Sequence, residues 1–229
     1  MKRPYWVELI ELTALGTIAR LADFALLVLR PRLLVAYLGM IVAGIARSPY
    51  RWPRSFEAIR ERSAAGVRER ELVYGETPVF TAWWIARAAG LRRGQSFVDL
   101  TAGRGRPLIG ARIWTPNVTG YELTSERALP VQPLLAGVGI ELKIADGTGA
   151  DLSGVDVAMV TWTGFTPELR SRFERTALGL DDGSRFATID APVRCPGFVE
   201  IRTLEVLCTW GIVPVWIYER QRALDNADR

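Results

Sequence analysis

The stretch that decides the fold runs from residue 97 to residue 105 and reads FVDLTAGRG. Its first residues favour a buried β-strand that ends at Asp99, and Gly103 and Gly105 follow directly. A helix-favouring run comes next at 107–114, so the segment predicts a strand, a tight glycine turn and a helix. Glycines let the backbone approach a ligand closely, and the amides at the start of the helix face that ligand. The segment therefore indicates an adenosine-type cofactor bound on an α/β sheet.

An acidic residue stands at the end of the next predicted strand. Glu122 closes the run VTGYE, about 20 positions after the glycine turn, where a carboxylate binds both hydroxyls of a ribose. A third glycine three residues after Gly105 is missing, because Leu108 occupies that position. An NAD-binding or nucleotide-sugar-binding Rossmann enzyme is therefore the weaker alternative.

Two further motifs flank this core. The sequence VYGETP occupies 73–78, and AMVTWTGFTPEL at 158–169 predicts a strand followed by a loop that carries Pro167 and Glu168. In this order the blocks resemble the class I S-adenosylmethionine-dependent methyltransferases, and YGET is most similar to the Dot-type nucleosomal lysine methyltransferases. The resemblance covers about 73–192, roughly half of the chain. It implies a Rossmann-like α/β fold with a seven-stranded, mostly parallel sheet and an antiparallel last strand, the cofactor S-adenosyl-L-methionine, and methyl transfer.

The resemblance also assigns cofactor contacts. Tyr74, Glu76 and Thr77 would lie over the methionine end of the cofactor, with Glu76 on its amino group and Thr77 on its carboxylate. The alternative for this segment is a helix entry with Thr77 as the N-cap, and the two are compatible. Asp146 and Gly147 would lie near the adenine, although an Asp-Gly turn explains them equally well. The remaining members of the predicted cofactor site are Asp99, Thr101, Gly103, Gly105, Glu122, Leu123 and Thr161.

The sequence departs from the family at two positions. Thr101 replaces the usual first glycine of the turn, and Thr161-Trp162 stands where Dot-type enzymes carry asparagine. We interpret Trp162 as a stacking partner for adenine, as a wall for an apolar substrate, or as a core residue. Together with Glu76 it is our candidate catalytic residue, and the further candidate bases are Glu126 and Asp190. The departures keep open a protein that binds the cofactor without transferring its methyl group.

The amino-terminal region is apolar and lies outside the resemblance. Residues 5–29 carry few charges, Pro31 interrupts the run, and 33–46 carry none, which is shorter than the ~20 residues that span a membrane. We expect a helical hairpin that lies on a membrane, caps the active site for a lipophilic substrate, or forms a homodimer surface. The sequence predicts a boundary at 48–54, which divides a region 1–54 from a catalytic domain 55–229 that begins with a charged helix at 55–72.

Composition narrows the function further. The chain has 229 residues, a net charge of +4 and no histidine, which excludes a histidine base and most zinc sites, and we expect no metal site. All basic residues except Lys2 and Lys143 are arginines, a bias typical of a GC-rich bacterial genome. The small, scattered basic surplus does not argue for nucleic acid. We therefore expect a cytoplasmic enzyme, with membrane contact through 5–46 as an option, that acts on a small lipophilic molecule or a protein.

Overall fold

The structure is a computed structural model that describes residues 5–46 and 76–221, with side chains described at 14–44 and 76–221. Several predictions fall outside the described residues: the boundary at 48–54, the charged helix at 55–72, and the role of Tyr74. The other predicted elements can be compared with the structure one by one.

The described residues form one seven-stranded sheet in the spatial order β3-β2-β1-β4-β5-β7-β6. Strands β1 to β5 pair in parallel, whereas β7 is antiparallel to both of its neighbours, β5 and β6. This confirms the predicted mostly parallel sheet closed by an antiparallel pair. The strands are β1 Ser96–Asp99, β2 Asn117–Glu122, β3 Ile140–Ile144, β4 Val157–Thr161, β5 Arg185–Ile189, β6 Phe198–Cys208 and β7 Gly211–Arg220.

Proline positions explain several helix boundaries. Pro31 is the first residue of α2, where its missing N–H costs no hydrogen bond, and Pro167 starts α7 in the same way. Pro130 and Pro133 divide the predicted helix after β2 into two short helices. The helices are α1 Tyr5–Leu27, α2 Pro31–Ala46, α3 Val79–Ala88, α4 Arg106–Arg112, α5 Ser125–Ala128, α6 Gln132–Ala136 and α7 Pro167–Ala177.

Two hydrophobic clusters cover the two faces of the sheet. One cluster contains Trp162, Phe173 and Phe186 and lies under α7. The other cluster contains residues of the sheet, of α3 and α4, and of the amino-terminal helices. Leu27 of α1 and Tyr37 of α2 belong to it and are 0% and 1% exposed. The amino-terminal hairpin thus shares a core with the sheet.

A buried carboxylate ties the hairpin to the catalytic domain. Asp23 of α1 is fully buried and accepts the backbone N–H of Phe80 at 2.8 Å and the hydroxyl of Tyr37 at 3.0 Å. Burial raises the pKa of Asp23 above its usual range. One side chain therefore connects α1, α2 and α3. Within the described ranges, no helix is both long enough and apolar enough to cross a membrane.

Candidate functional site

A cavity opens at the carboxyl ends of β1, β2 and β4. The chain passes from β1 to β2 and β3 on one side and then crosses to β4 on the other side of β1, and such a topological switch point is where open α/β sheets bind ligands. The residues that line the cavity include most of the predicted cofactor contacts: Glu76, Thr77, Thr101, Gly103, Glu122, Leu123, Asp146, Gly147 and Thr161.

Glycines shape the floor of this cavity. Gly103 and Gly105 have φ angles of 56° and 80°, a conformation that favours glycine, and Gly105 stands directly before α4. A Cβ on Gly105 would lie 2.5 Å from Leu135, and one on Gly147 would overlap the carbonyl oxygen of Leu100. Gly105 does not line the cavity itself, so its role is to set the turn. Gly147 does line it, and only a glycine fits there without displacing β1.

Glu122 is held in a fixed position at the end of β2. Its side chain is buried, and Oε1 accepts the backbone N–H of Thr124 at 2.9 Å together with the Thr124 hydroxyl. The guanidinium of Arg127 lies 3.9 Å from the same oxygen. Among the described residues, Oε2 has no hydrogen-bond partner, so it can accept hydrogen bonds from a ligand. A carboxylate held in this way suits the two hydroxyls of a ribose.

A charged cluster lies at the opposite end of the cavity. Nη1 of Arg106 is 2.8 Å from one oxygen of Glu76, and Nη1 of Arg104 is 3.8 Å from the other. The backbone N–H of Glu76 donates to the hydroxyl of Thr209 at 2.9 Å, which fixes the segment before α3 to the β6–β7 hairpin. Thr77 is buried beside it, with its hydroxyl 3.4 Å from that of Thr161. Two cations and one carboxylate can receive a ligand that carries both a carboxylate and an ammonium group.

Arg104 and Arg106 are not among the site residues predicted from the sequence, because the many arginines of the chain were attributed to genome composition. A usable signal was present, since both lie in or next to the first turn of α4, where the helix dipole disfavours cations. Cations in that place indicate a nearby acid that compensates them. In the structure that acid is Glu76.

Thr101 explains the first departure from the family pattern. Its hydroxyl accepts the backbone N–H of Thr161 at 2.9 Å, and its own N–H donates to Oδ1 of Asp99 at 2.9 Å. A threonine here joins the ends of β1 and β4, which a glycine would not do. Its φ angle is not among the positive ones, as a β-branched residue requires.

Asp99 supports this turn through its hydrogen bond with Thr101, and it does not line the cavity. It is fully buried, and Oδ2 has no hydrogen-bond partner among the described residues. Burial, with the carboxylate of Glu122 adding to it, raises the pKa of Asp99 to about 7. Asp99 therefore acts on the cavity only through Thr101, which accompanies it in the turn and lines the cavity.

The third part of the cavity is largely apolar. Phe165 and Phe173 stack with their ring centres 5.6 Å apart, and Leu169 lies beside them in the wall. Asp146 follows β3, accepts the N–H of Thr148, and pairs with Arg172 of α7 at 2.8 Å. The arrangement suits a flat apolar ring with a polar edge.

Of the three interpretations of Trp162, the structure agrees with a core residue and not with a stacking partner for adenine or a wall of the substrate site. The indole is fully buried in the cluster under α7, and its N–H donates to the carbonyl of Ala191 at 2.8 Å. It meets the ring of Phe186 edge-on with a centre-to-centre distance of 6.2 Å. The candidate bases Glu126 and Asp190 do not line the cavity either.

Two residues that the sequence motifs do not indicate, Thr163 and Trp210, also line the cavity. Nε1 of Trp210 and Oγ1 of Thr163 are buried and have no hydrogen-bond partner among the described residues. Trp210 lies in the tip between β6 and β7, so only the strand pairing brings it to the site. Unpaired buried donors and acceptors are costly, and a bound ligand would satisfy them.

The chain is similar to known proteins in its fold and not in its sequence. No family model and no curated protein sequence matches the chain. Solved structures do match, among them an RNA methyltransferase from Salinibacter ruber in complex with S-adenosyl-L-homocysteine, with a TM-score of 0.53 and 19% identity over 67% of this chain and 99% of that one. The fold is that of the class I methyltransferases.

Two further solved structures have the same class I fold. TrmN from Thermus thermophilus has a TM-score of 0.53 and 22% identity over 66% of this chain, which spans about half of that protein, 51%. An S-adenosylmethionine-dependent O-methyltransferase from Thermotoga maritima has a TM-score of 0.51 and 14% identity over 67% of this chain and 69% of that one. One of these proteins is named an RNA methyltransferase and another an O-methyltransferase, so the fold alone does not fix the acceptor. The Dot-type resemblance stays a prediction.

Proposed function

We propose that this protein is an S-adenosylmethionine-dependent methyltransferase. The observation that carries the proposal is the fixed carboxylate of Glu122 beside the glycine turn, at the switch point of a class I sheet. The proposal is also supported by Gly105 and Gly147, where a Cβ does not fit, and by the unpaired polar groups of Thr163 and Trp210.

The residues present fit each part of this cofactor. Oε2 of Glu122 would accept the ribose hydroxyls, and Asp146 would accept the adenine amine between apolar walls. Glu76 would hold the ammonium group, as the sequence predicts. We assign the carboxylate to Arg104 and Arg106 rather than to Thr77, because two guanidinium groups already lie beside Glu76.

When bound, the cofactor supplies a methyl group already activated by a sulfonium, so little further chemical activation is needed. The work of this chain is to hold the two reactants in line and to exclude water. Thr161, Thr163 and Trp210 line the cavity, the hydroxyl of Thr161 lies 3.4 Å from that of Thr77, and we assign these three residues to orienting the acceptor.

The charges of the cavity restrict the acceptor. Its lining contains three carboxylates, Glu76, Glu122 and Asp146, and each is within 4 Å of an arginine. In the proposed binding mode each of these carboxylates also contacts the cofactor, so none of them is left to act as a base for the acceptor. We therefore propose an acceptor that is nucleophilic without a protein base, such as a neutral amine or an oxygen that is already anionic.

Two acceptor classes compete. The apolar hairpin favours a lipophilic small molecule, because it lies beside the cavity. Tyr37 of α2 packs against the cavity residue Arg106, with the guanidinium 5.7 Å from the ring centre. RNA is the second candidate, because the Salinibacter protein that the chain matches is an RNA methyltransferase. Transfer of a labelled methyl group to a lipid extract and to total RNA, assayed in parallel, distinguishes the two.

Calorimetry on the full chain tests the proposal itself. Titration with S-adenosylmethionine, S-adenosylhomocysteine and NAD should give binding of the first two and none of the third. Binding of NAD alone, or of none of them, would contradict it. Binding of both sulfur compounds without methyl release to any acceptor would support the alternative of a cofactor-binding protein that does not transfer methyl groups.

A further inference from the structure

The amino-terminal hairpin exposes an apolar face that no part of the described chain covers. We define this hairpin face by six exposed side chains, with 44% to 69% of their surface accessible. They are Leu21, Phe24 and Val28 on α1 and Val35, Leu38 and Val42 on α2. Their spacing of three and four residues places them on one side of each helix, opposite the residues that pack on the core.

This pattern is the reverse of an ordinary surface helix. Both helices already bury one face through Leu27, Tyr37 and Met40, so their outward positions should be polar. Contiguous exposed apolar surface on a folded domain marks an interaction site. The hairpin face is therefore a candidate interaction surface.

The charges that border the face have one sign. Arg20 and Arg32 are exposed, whereas Asp23, the one acidic residue within 14–44, is fully buried and bonded to Tyr37. The acidic residues of the preceding turns, Glu8 and Glu11, lie where side chains are not described. The described border of the hairpin face is thus basic.

Aromatic side chains adjoin the hairpin. Phe80 and Trp84 of α3 are 38% and 43% exposed, and α3 is bonded to α1 through Asp23. Beside them Trp83 stacks on Trp114, with ring centres 5.7 Å apart. Tryptophan and phenylalanine next to aliphatic and basic residues are typical of the boundary between head groups and acyl chains.

We propose that the hairpin face binds a lipid surface with anionic head groups, with α1 and α2 lying in the plane of the interface. A second copy of the chain fits less well, because residues 14–44 offer exposed arginines and no exposed acid with which they could pair across a two-fold interface. Anionic head groups supply that charge, while the acyl boundary receives the aliphatic side chains. The proposal does not rest on methyl transfer.

Vesicle flotation of the full chain tests this proposal. Phosphatidylcholine vesicles with added phosphatidylglycerol should carry the protein upward, and phosphatidylcholine vesicles alone should carry less of it. The double variant Leu21→Ser/Val35→Ser should bind the vesicles at least about tenfold more weakly, because each leucine or valine buried at the interface adds to the free energy of membrane binding. The double variant Arg20→Gln/Arg32→Gln should lose most of the preference for the anionic vesicles.

A matched control is available on the edge strand β6. Val199 and Ile201 are 44% and 45% exposed, and Val199→Ser/Ile201→Ser should bind vesicles as the parent does. Circular dichroism and a thermal melt establish that each variant is folded. No flotation of the parent, or equal flotation of Leu21→Ser/Val35→Ser, would overturn the proposal. A dimer in solution that the same double variant dissociates would assign the face to a second copy.

Discussion

The guanidinium of Arg106 lies 2.8 Å from the carboxylate of Glu76 and joins the first turn of α4 to the segment before α3. Arg104 contributes a second cation 3.8 Å from the same carboxylate. Two guanidinium groups thus lie beside the same carboxylate, at a helix start where the dipole disfavours positive charge. We infer that these two guanidinium groups receive the carboxylate of the bound cofactor.

Removing this charge should weaken binding of the amino-acid part of the ligand only. For Arg106→Gln we expect affinity for S-adenosylhomocysteine to fall about tenfold or more, since a charge-assisted pair is lost. Affinity for methylthioadenosine, which lacks the amino-acid group, should not change. Calorimetry with both ligands provides the comparison.

Arg185→Gln is the matched control, because Arg185 pairs with Glu219 away from the cavity. It should leave both affinities at the parental value. An equal loss for both ligands in Arg106→Gln would mean that the arginine supports the fold of the site rather than the ligand's carboxylate.

The buried carboxyl of Asp99 should make stability depend on pH. Its pKa is raised to about 7 in the folded chain from 3.8, so the folded state binds more protons between these two values. The free energy of unfolding should therefore fall as pH rises from about 4 to 7 and then level off. The Asp99→Asn variant keeps an acceptor for Thr101, and above pH 7 it should be more stable than the parent by up to about 4 kcal/mol.

Urea unfolding of both proteins at pH 5 and pH 8 measures this difference, and subtracting one protein from the other removes the contributions of other groups. The stability gap should be larger at pH 8. A gap that is the same at both pH values would show that Asp99 is ionised in the folded chain throughout.

Gly147 should be irreplaceable for packing reasons. A Cβ at this position would overlap the carbonyl oxygen of Leu100, and neither backbone can move without displacing β1. Gly147→Ala should cost about 2 kcal/mol or more of unfolding free energy. Gly149→Ala is the control, because a Cβ there has nothing within 4 Å, and it should leave the melting temperature close to the parental value. Equal melting temperatures for the two variants would contradict the close approach.

Trp162 should matter for stability and not for the cofactor. Trp162→Phe removes the hydrogen bond to Ala191 and leaves a small cavity beside Phe186, which should cost about 2 kcal/mol. Affinity for S-adenosylhomocysteine should be unchanged. Lower affinity for S-adenosylhomocysteine at unchanged stability would show that Trp162 contributes to the binding site.

The strands around the glycine turn and the positions that meet at the cavity could be predicted because they depend on local patterns. The run around Asp99, Gly103 and Gly105 contains a strand, a turn and a helix start within nine residues, and Glu122 follows at a characteristic distance. Parallel strands then bring these positions to one edge of the sheet. The positions of these residues therefore depend little on contacts between parts of the chain that are distant in sequence.

Trp162, Trp210 and Tyr37 depend on contacts that no local pattern encodes. Trp162 follows a strand buried on both faces, so alternation of residues does not tell which face it occupies. Trp210 reaches the cavity through the pairing of β6 with β7, and Tyr37 reaches Arg106 through the docking of a hairpin about 70 positions away. Only the assembled fold brings these residues to their places.

The most direct test of the central claim is calorimetry of S-adenosylhomocysteine with Glu122→Gln. The variant keeps an oxygen for the Thr124 N–H, and it replaces the charged acceptor for the ribose with a neutral amide. Glu141→Gln on β3, whose side chain is 59% exposed, is the control. We predict that Glu122→Gln binds about tenfold or more weakly while Glu141→Gln binds as the parent does. Equal affinity of Glu122→Gln and the parent would contradict the assignment of this cavity to a class I methyltransferase cofactor.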